Sequence, residues 1–226
     1  MCRMFAYIGS SNHDINLLYN ALKEASRNDV IGKKIGIDDH RDGFGYVIYD
    51  DKIDYYRSPD PVYLSNLNFN IKNKSYVLFH ARKGSDRHRG VIYSHPFMEE
   101  TDDSLIFMIH NGLFDSDAIG EILNIKGEYS DTELGLKYIA RNGIESIEHL
   151  KDYTKSTMNL IILKIDKNTM MPEIYYINYF KNGRYREYST MFLARLNNGV
   201  AIISSTLGHY GIENLEKIDF GIIKKL

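Results

Sequence analysis

A cysteine directly follows the initiator methionine, and its position makes it a candidate nucleophile. Its side chain is small enough for methionine aminopeptidase to remove Met1, which would make Cys2 the N-terminal residue. A free α-amine has a pKa of about 7.7 to 8.0 and a thiol one of about 8.5, so the amine can accept the thiol proton near neutral pH. Cys2 alone would then supply nucleophile and base. The alternative is a small buried residue at the start of a strand.

Arg82 comes directly after an apolar segment, where a polar loop begins. A planar guanidinium can form two parallel hydrogen bonds with a carboxylate, which suits an anionic group of a substrate. The alternative for this residue is a surface ion pair.

A second polar cluster, His110-Asn111-Gly112, also follows an apolar segment. Asn-Gly is the strongest two-residue signal for a hairpin turn, but a helix-like segment follows here in place of a second strand. The amide of Asn111 beside the backbone N–H of Gly112 is also a pair of hydrogen-bond donors for an oxyanion. Both interpretations stay open at this point.

The segment Ser130-Asp131-Thr132-Glu133 has the pattern of a helix capping box. Asp131 would lie in the first helical turn, where the helix dipole favours a carboxylate. Its side chain can still point outward to the ammonium group of a ligand, so the motif can serve structure and binding together.

Metal and disulfide chemistry have little support in the sequence. The spacing of His80, His88 and His95 matches no familiar zinc pattern. Cys2 is the only cysteine, which excludes disulfides within the chain and metal sites built from several cysteines. We therefore expect no metal and no organic cofactor.

Composition bounds the class of protein. The chain has 226 residues, 43% of them hydrophobic, and neither a repeat nor a linker-like stretch, so we expect one globular domain over residues 1–226. A formal net charge of -2 gives no basic surface for nucleic acid or an anionic membrane, and favours a small-molecule substrate or a protein partner. With no long apolar run and no signal-peptide pattern, we expect a cytoplasmic protein.

Hydrophobic periodicity predicts the elements that must position these residues. We expect strands at 3–9, 43–49, 53–57, 76–81, 105–110, 159–165, 173–180, 191–196, 199–204 and 218–223. We expect helices at 14–26, with Asp14 as N-cap, and at 116–123, 131–141 and 144–153. Strands, then helices, then strands indicate an α+β domain in which sheets stack and helices cover the outside.

Taken in chain order, six short motifs resemble the class II glutamine amidotransferases, a family of N-terminal nucleophile (Ntn) hydrolases. The motifs are Met1-Cys2, Asp42-Gly43-Phe44-Gly45, His80-Ala81-Arg82, His95-Pro96-Phe97, His110-Asn111-Gly112 and Ser130-Asp131-Thr132-Glu133. Residues 203–207 also look like the closing strand and turn of the family, so the resemblance spans nearly the whole chain. It implies a four-layer αββα sandwich with the active site at one end of the sheets.

The resemblance also implies a role for each candidate residue. Cys2 would be the nucleophile and its α-amine the base, with Asn111 and Gly112 as the oxyanion hole. Arg82 would hold the α-carboxylate of glutamine and Asp131 its α-ammonium. Two further residues are predicted to bind the substrate: Ser85, where the family often has a threonine, and His95.

The reaction we expect is hydrolysis of the γ-amide of glutamine or of a γ-glutamyl amide through a Cys2 thioester. Family members that make larger products carry a long synthase region, which we do not expect here. Two alternatives remain from the sequence: a non-catalytic glutamine- or glutamate-binding regulatory subunit, and an ammonia-supplying subunit of a separate synthase. The protein could also form a homo-oligomer.

Overall fold

The described part of the chain, residues 1–85 and 88–226 of a computed structural model, is built mainly from β-strands. Its strands are β1 (Arg3–Gly9), β2 (Phe44–Tyr49), β3 (Ile53–Ser58), β4 (Ser75–Ala81), β5 (Phe97–Glu100), β6 (Ser104–Phe114), β7 (Thr154–Asp166), β8 (Pro172–Phe180), β9 (Met191–Leu196), β10 (Gly199–Ser204), β11 (Leu215–Lys217) and β12 (Lys224–Lys225). Its α-helices are α1 (Asn12–Arg27), α2 (Ser116–Leu123), α3 (Asp131–Asn142), α4 (Ile147–Leu150) and α5 (Arg186–Ser189). The prediction of a mixed α and β fold is confirmed.

The strands form two sheets whose neighbours run antiparallel. The order in the first sheet is β11-β9-β10-β1-β4-β2-β3, and in the second β12-β8-β7-β6-β5. In the first sheet β1 lies between β4 and β10, and its Arg3 is paired with Ala81 of β4. This register brings the residue before β1, Cys2, beside the residue after β4, Arg82.

Side chains of β1 alternate between two apolar clusters. Phe5 and Tyr7 pack with the buried residues of α1, whereas Met4 and Ala6 pack with residues of β6 and β7 from the second sheet. A strand that is buried on both faces needs apolar residues at consecutive positions, which explains its continuous apolar sequence. A third cluster joins the second sheet to α2, α3 and α4.

Several predicted boundaries are corrected by the structure. Ser11, and not Asp14, is the N-cap of α1, because the Ser11 side chain accepts a hydrogen bond from the backbone N–H of Asp14 at 3.2 Å. The helix predicted at 144–153 shortens to a 3-10 turn (Ile144–Ser146) and α4. The strand predicted at 218–223 is wrong, because the short strands β11 and β12 flank that segment instead.

The second sheet also holds two features that the sequence analysis missed. Strand β5 is four residues long, too short for a clear period-two pattern. Strand β6 continues through Asn111 and Gly112 to Phe114, so the hairpin turn is wrong as an interpretation of the Asn-Gly pair.

No helix in the described ranges is long and apolar enough to span a bilayer.

A buried ion pair fixes the start of β1. The guanidinium of Arg3 donates from Nε to Asp29 Oδ2 at 2.6 Å and from Nη2 to Asp29 Oδ1 at 2.9 Å, and both side chains have 0% exposure. The same guanidinium lies over the ring of Tyr188, 3.7 Å from its centroid. Arg3 holds the pKa of Asp29 well below its usual range, together with a hydrogen bond from His40, although burial acts in the opposite direction.

We predict that Asp29→Ala lowers the free energy of unfolding by about 3–5 kcal/mol, because it leaves the Arg3 charge buried without its partner. Urea denaturation measures the loss. The control is Glu216→Ala, which removes a partner of Arg195 where both side chains are mostly exposed, and we expect it to leave the midpoint unchanged. Equal small effects of the two substitutions would contradict a stabilising role of the buried pair.

Candidate active site

A cavity of about 350 Å³ lies where the end of β4, the end of β6 and the start of α3 approach Cys2. Six of the seven residues that the sequence analysis predicted for the site line this cavity: Cys2, Arg82, Ser85, His95, Gly112 and Asp131. The seventh, Asn111, contacts Cys2 from behind. The structure thus brings all seven predicted residues together, although they come from positions 2 to 131 of the chain.

Cys2 is buried, with 6% of its surface exposed, and hydrogen bonds hold its backbone on both sides. Its backbone nitrogen donates to Asn111 Oδ1 at 2.8 Å, and its carbonyl oxygen accepts from the hydroxyl of Tyr188 at 3.3 Å. The sulfur lies 4.0 Å from the carbonyl oxygen of Lys83. The nitrogen and the thiol of Cys2 therefore have fixed positions at the inner end of the cavity.

Met1 occupies part of the same cavity. Its terminal ammonium donates to the carbonyl oxygen of Lys83 at 3.2 Å, and its own carbonyl oxygen lies 3.2 Å from Nδ1 of His40. With Met1 attached, the nitrogen of Cys2 is an amide and cannot accept a proton. Met1 therefore prevents the Cys2 nitrogen from acting as a base. It also takes up space at the cavity that a ligand would use.

The thiol of Cys2 is activated by its surroundings. Burial raises its pKa, but electrostatic interactions with His80 and with the terminal ammonium, together with hydrogen bonding to His80 and to the backbone of Lys83, outweigh burial and lower the pKa to about 6. A thiolate is the nucleophilic form of cysteine, so this environment favours nucleophilic chemistry over a purely structural role.

Arg82 is 8% exposed and its guanidinium is anchored on one side. Nη1 donates to the carbonyl oxygen of His88 at 2.8 Å and lies 3.4 Å from that of Asp42. A Cβ at Gly84 would lie 2.2 Å from Nη1 of Arg82, so a larger residue at this position would displace the guanidinium. Ser85 lies next to this group, with its hydroxyl 3.0 Å from Nδ1 of His88.

Asp131 lies in the first turn of α3, whose N-cap is Ser130 as predicted. Its Oδ2 accepts a hydrogen bond from the backbone N–H of Phe114 at 2.9 Å, which fixes the carboxylate at the cavity wall. His110 lies 3.9 Å from the same oxygen. Burial lowers the pKa of His110 to about 4, so this ring is neutral at pH 7 and leaves the charge of Asp131 for a ligand.

The Asn111-Gly112 pair lies on β6 opposite β7. A Cβ at position 112 would lie 1.7 Å from the carbonyl oxygen of Thr157, so only glycine permits this close approach of the two strands. Asn111 directs its Oδ1 to the nitrogen of Cys2, which leaves the amide NH₂ of the same side chain as a hydrogen-bond donor. The amide of Asn111 and the backbone of Gly112 are thus neighbours on β6.

His95 is buried against His80, with ring centroids 4.1 Å apart, and neither ring nitrogen of His95 has a hydrogen-bond partner among the described residues. Burial and the positive charges around it hold its pKa well below the usual range, so the ring is neutral. The described part of the chain holds no group of three or more His, Cys, Asp or Glu side chains arranged for a metal ion.

The fold that carries this site is shared with solved structures. The allosteric regulatory enzyme of purine biosynthesis, a class II glutamine amidotransferase, matches 99% of this chain with a TM-score of 0.69 and 15% sequence identity. The chain shares the fold of this enzyme, with two antiparallel sheets. The resemblance found in the sequence is therefore confirmed at the level of the fold.

The chain spans 46% of the length of the purine-biosynthesis enzyme. A predicted glutamine amidotransferase from Pseudomonas aeruginosa PA01 matches 100% of this chain and 93% of its own, with a TM-score of 0.46 and 12% identity. Neither protein-family models nor curated protein sequences match the chain.

The sequence analysis missed two residues that lie behind the nucleophile, Asp29 and His40. Both have fully buried side chains, and His40 Nε2 lies 2.7 Å from Asp29 Oδ2. A signal for them existed in Arg3, a charged residue inside an otherwise apolar strand, because a buried cation requires a buried partner. The sequence does not indicate which of its many carboxylates that partner is.

We predict that iodoacetamide alkylates Cys2 of the Met1-bearing chain with a rate that rises with pH to half its maximum at about pH 6. The pKa is lowered, so the thiolate is present above that value and is lost as the pH falls through it. Mass spectrometry gives the rate at each pH, and every modification reports Cys2 because the chain has no other cysteine. A midpoint near that of a free thiol, about 8.5, would contradict the activation described here.

Proposed function

We propose that this protein hydrolyses the γ-amide of glutamine or of a γ-glutamyl amide, with Cys2 as an N-terminal nucleophile after removal of Met1. The observation that carries the proposal is one cavity lined by an activated thiol, an arginine, a carboxylate and Gly112, with the amide of Asn111 in contact with Cys2. Glutamine carries one amide, one carboxylate and one ammonium group, and each finds a complementary partner there. The structural similarity to a glutamine amidotransferase supports amide hydrolysis in general.

In the proposed mechanism the α-amine of Cys2 takes the thiol proton and the thiolate attacks the γ-carbonyl carbon of the substrate. A C–S bond forms, and the negative charge on the oxygen is stabilised by the Asn111 amide and the Gly112 N–H. The C–N bond then breaks, and the α-ammonium gives its proton to the departing ammonia or amine. Water attacks the thioester in the same way, releasing glutamate and restoring the thiol.

We assign substrate binding to the groups around the thiol. The guanidinium of Arg82, with the Ser85 hydroxyl, would hold the α-carboxylate, and Asp131 would hold the α-ammonium. We also assign His95 to substrate binding, as part of the buried wall of this pocket, where neither of its ring nitrogens has a hydrogen-bond partner among the described residues. No metal or cofactor takes part in this scheme.

We further propose that the two sheets and their helices form the four-layer αββα sandwich of Ntn hydrolases as one domain. The supporting observation is the sequence of apolar clusters, since one cluster joins the sheets and the other two join each sheet to helices. In such a sandwich the thiol would lie at one end of the sheets, open to a small molecule in the cytoplasm.

The direct test is a release assay over a panel of γ-glutamyl amides, glutamine included, with protein whose intact mass shows that Met1 is absent. We expect amine or ammonia release with at least one member, and Cys2→Ala folded but reduced by orders of magnitude. Release that persists undiminished in the alanine variant would reject Cys2 as the nucleophile. Binding of glutamate without any release would favour a regulatory subunit.

Two substitutions should separate binding from chemistry. Arg82→Lys replaces a bidentate guanidinium with a point charge, so we expect mainly a higher KM. Asn111→Ala removes an oxyanion donor, so we expect kcat to fall by roughly 10² to 10³. Steady-state kinetics with the best amide of the panel measures both. The reverse pattern, or loss of thermal stability alone, would contradict these roles.

A further inference from the structure

Asp29 is a hydrogen-bond acceptor surrounded by donors directly behind the nucleophile. Its two oxygens accept from Nε and Nη2 of Arg3, from the backbone N–H of Gly32 at 2.7 Å and from the hydroxyl of Thr206 at 2.6 Å. Nε2 of His40 lies 2.7 Å from Oδ2. With the adjacent arginine charge, this carboxylate is ionised and can only accept, so Nε2 of His40 carries the hydrogen of that bond.

The other ring nitrogen of His40 is consequently a bare acceptor. Burial lowers the pKa of His40 to about 4, and the charge of Arg3 acts in the same direction against the hydrogen bond to Asp29. A neutral imidazole carries one hydrogen, and Asp29 holds that hydrogen on Nε2. The lone pair of Nδ1 is therefore turned towards the start of the chain.

With Met1 in place, the lone pair of Nδ1 faces another hydrogen-bond acceptor. The atom 3.2 Å from Nδ1 is the carbonyl oxygen of Met1, which is also an acceptor. Removal of Met1 eliminates this oxygen and converts the adjacent nitrogen of Cys2 from an amide into an amine with N–H groups to donate. The surroundings of His40 therefore fit the processed chain better than the unprocessed one.

We propose that His40 is a positioning residue for the nucleophile: its Nδ1 accepts a hydrogen bond from the α-amine of processed Cys2, directly or through one water. Asn111 Oδ1, already 2.8 Å from the same nitrogen, is the second acceptor. A neutral amine has two hydrogens and one lone pair, so two protein acceptors leave the lone pair free for the thiol proton. In the ammonium form, the third hydrogen takes that direction.

This inference rests on the proposed N-terminal nucleophile, but its test needs no glutamine. The reagent is iodoacetamide, which reacts with the thiol and does not require the substrate pocket. The measured quantity is the alkylation rate of Met1-free protein at pH 5, below the thiol pKa, where the rate is proportional to the small fraction of thiolate. If γ-glutamyl amides fail to react while the alkylation rates of the His40 variants follow the expected order, then the proposed reaction is wrong and the role of His40 stands.

Two variants distinguish a positioning role of His40 from a purely structural one. The side-chain amides of glutamine and asparagine reach different ring-nitrogen positions of the histidine that they replace. The amide of His40→Gln reaches the Nε2 position and can keep the hydrogen bond to Asp29, but it leaves no acceptor at Nδ1. The oxygen of His40→Asn reaches the Nδ1 position and loses the bond to Asp29. We expect a rate reduced about tenfold in His40→Gln, corresponding to one lost hydrogen bond, and a rate close to wild type in His40→Asn.

A purely structural His40 predicts the opposite order, with His40→Gln as fast as wild type, and that result would overturn the proposal. If either variant does not fold, ¹⁵N NMR of the histidine rings in the folded, Met1-free wild type decides. An unprotonated Nδ1 and a protonated Nε2 at pH 7 support the proposal. A protonated Nδ1 of His40 would overturn it.

Discussion

The ion pair of Arg3 and Asp29 is the constraint on which the site depends. Because both side chains are fully buried, the first strand begins at a fixed depth in the protein, and Cys2 precedes it by one peptide bond. A charged pair is costly to bury unless its hydrogen bonds are complete, and here Gly32, Thr206 and His40 complete those of the carboxylate. Apolar residues could fill the same volume without this cost, so the role we give to the network is to fix the position of Cys2.

The rest of the cavity follows from strand register. Pairing of Arg3 with Ala81 brings Arg82 beside Cys2, and β6 carries Asn111 to the nitrogen of the same cysteine. The start of α3 closes the opposite wall with Asp131, held by the backbone of Phe114. Each group that would contact a ligand is thus fixed by main-chain structure, so the cavity is organised before a ligand enters it.

Sequence patterns predicted which residues gather in space better than they predicted the boundaries of the elements. Six of the seven candidate residues line one cavity, and the seventh, Asn111, contacts Cys2. Asn111 and Gly112 have the sequence of a turn but lie within β6, because pairing with β7 overrides that local preference. Arg3 signalled that a buried partner exists, but nothing local singled out Asp29 or His40, since their roles arise from contacts with Arg3 and Thr206 that are distant along the chain.

The central claim is that the α-amine of Cys2, freed by loss of Met1, belongs to the reacting site. The most direct measurement is turnover of the best γ-glutamyl amide by preparations whose fraction of Met1-free chain is known from intact mass. Our account predicts turnover proportional to that fraction, with almost none from chains that keep Met1, although these chains are folded. Full turnover by material that contains only Met1-bearing chains would contradict it.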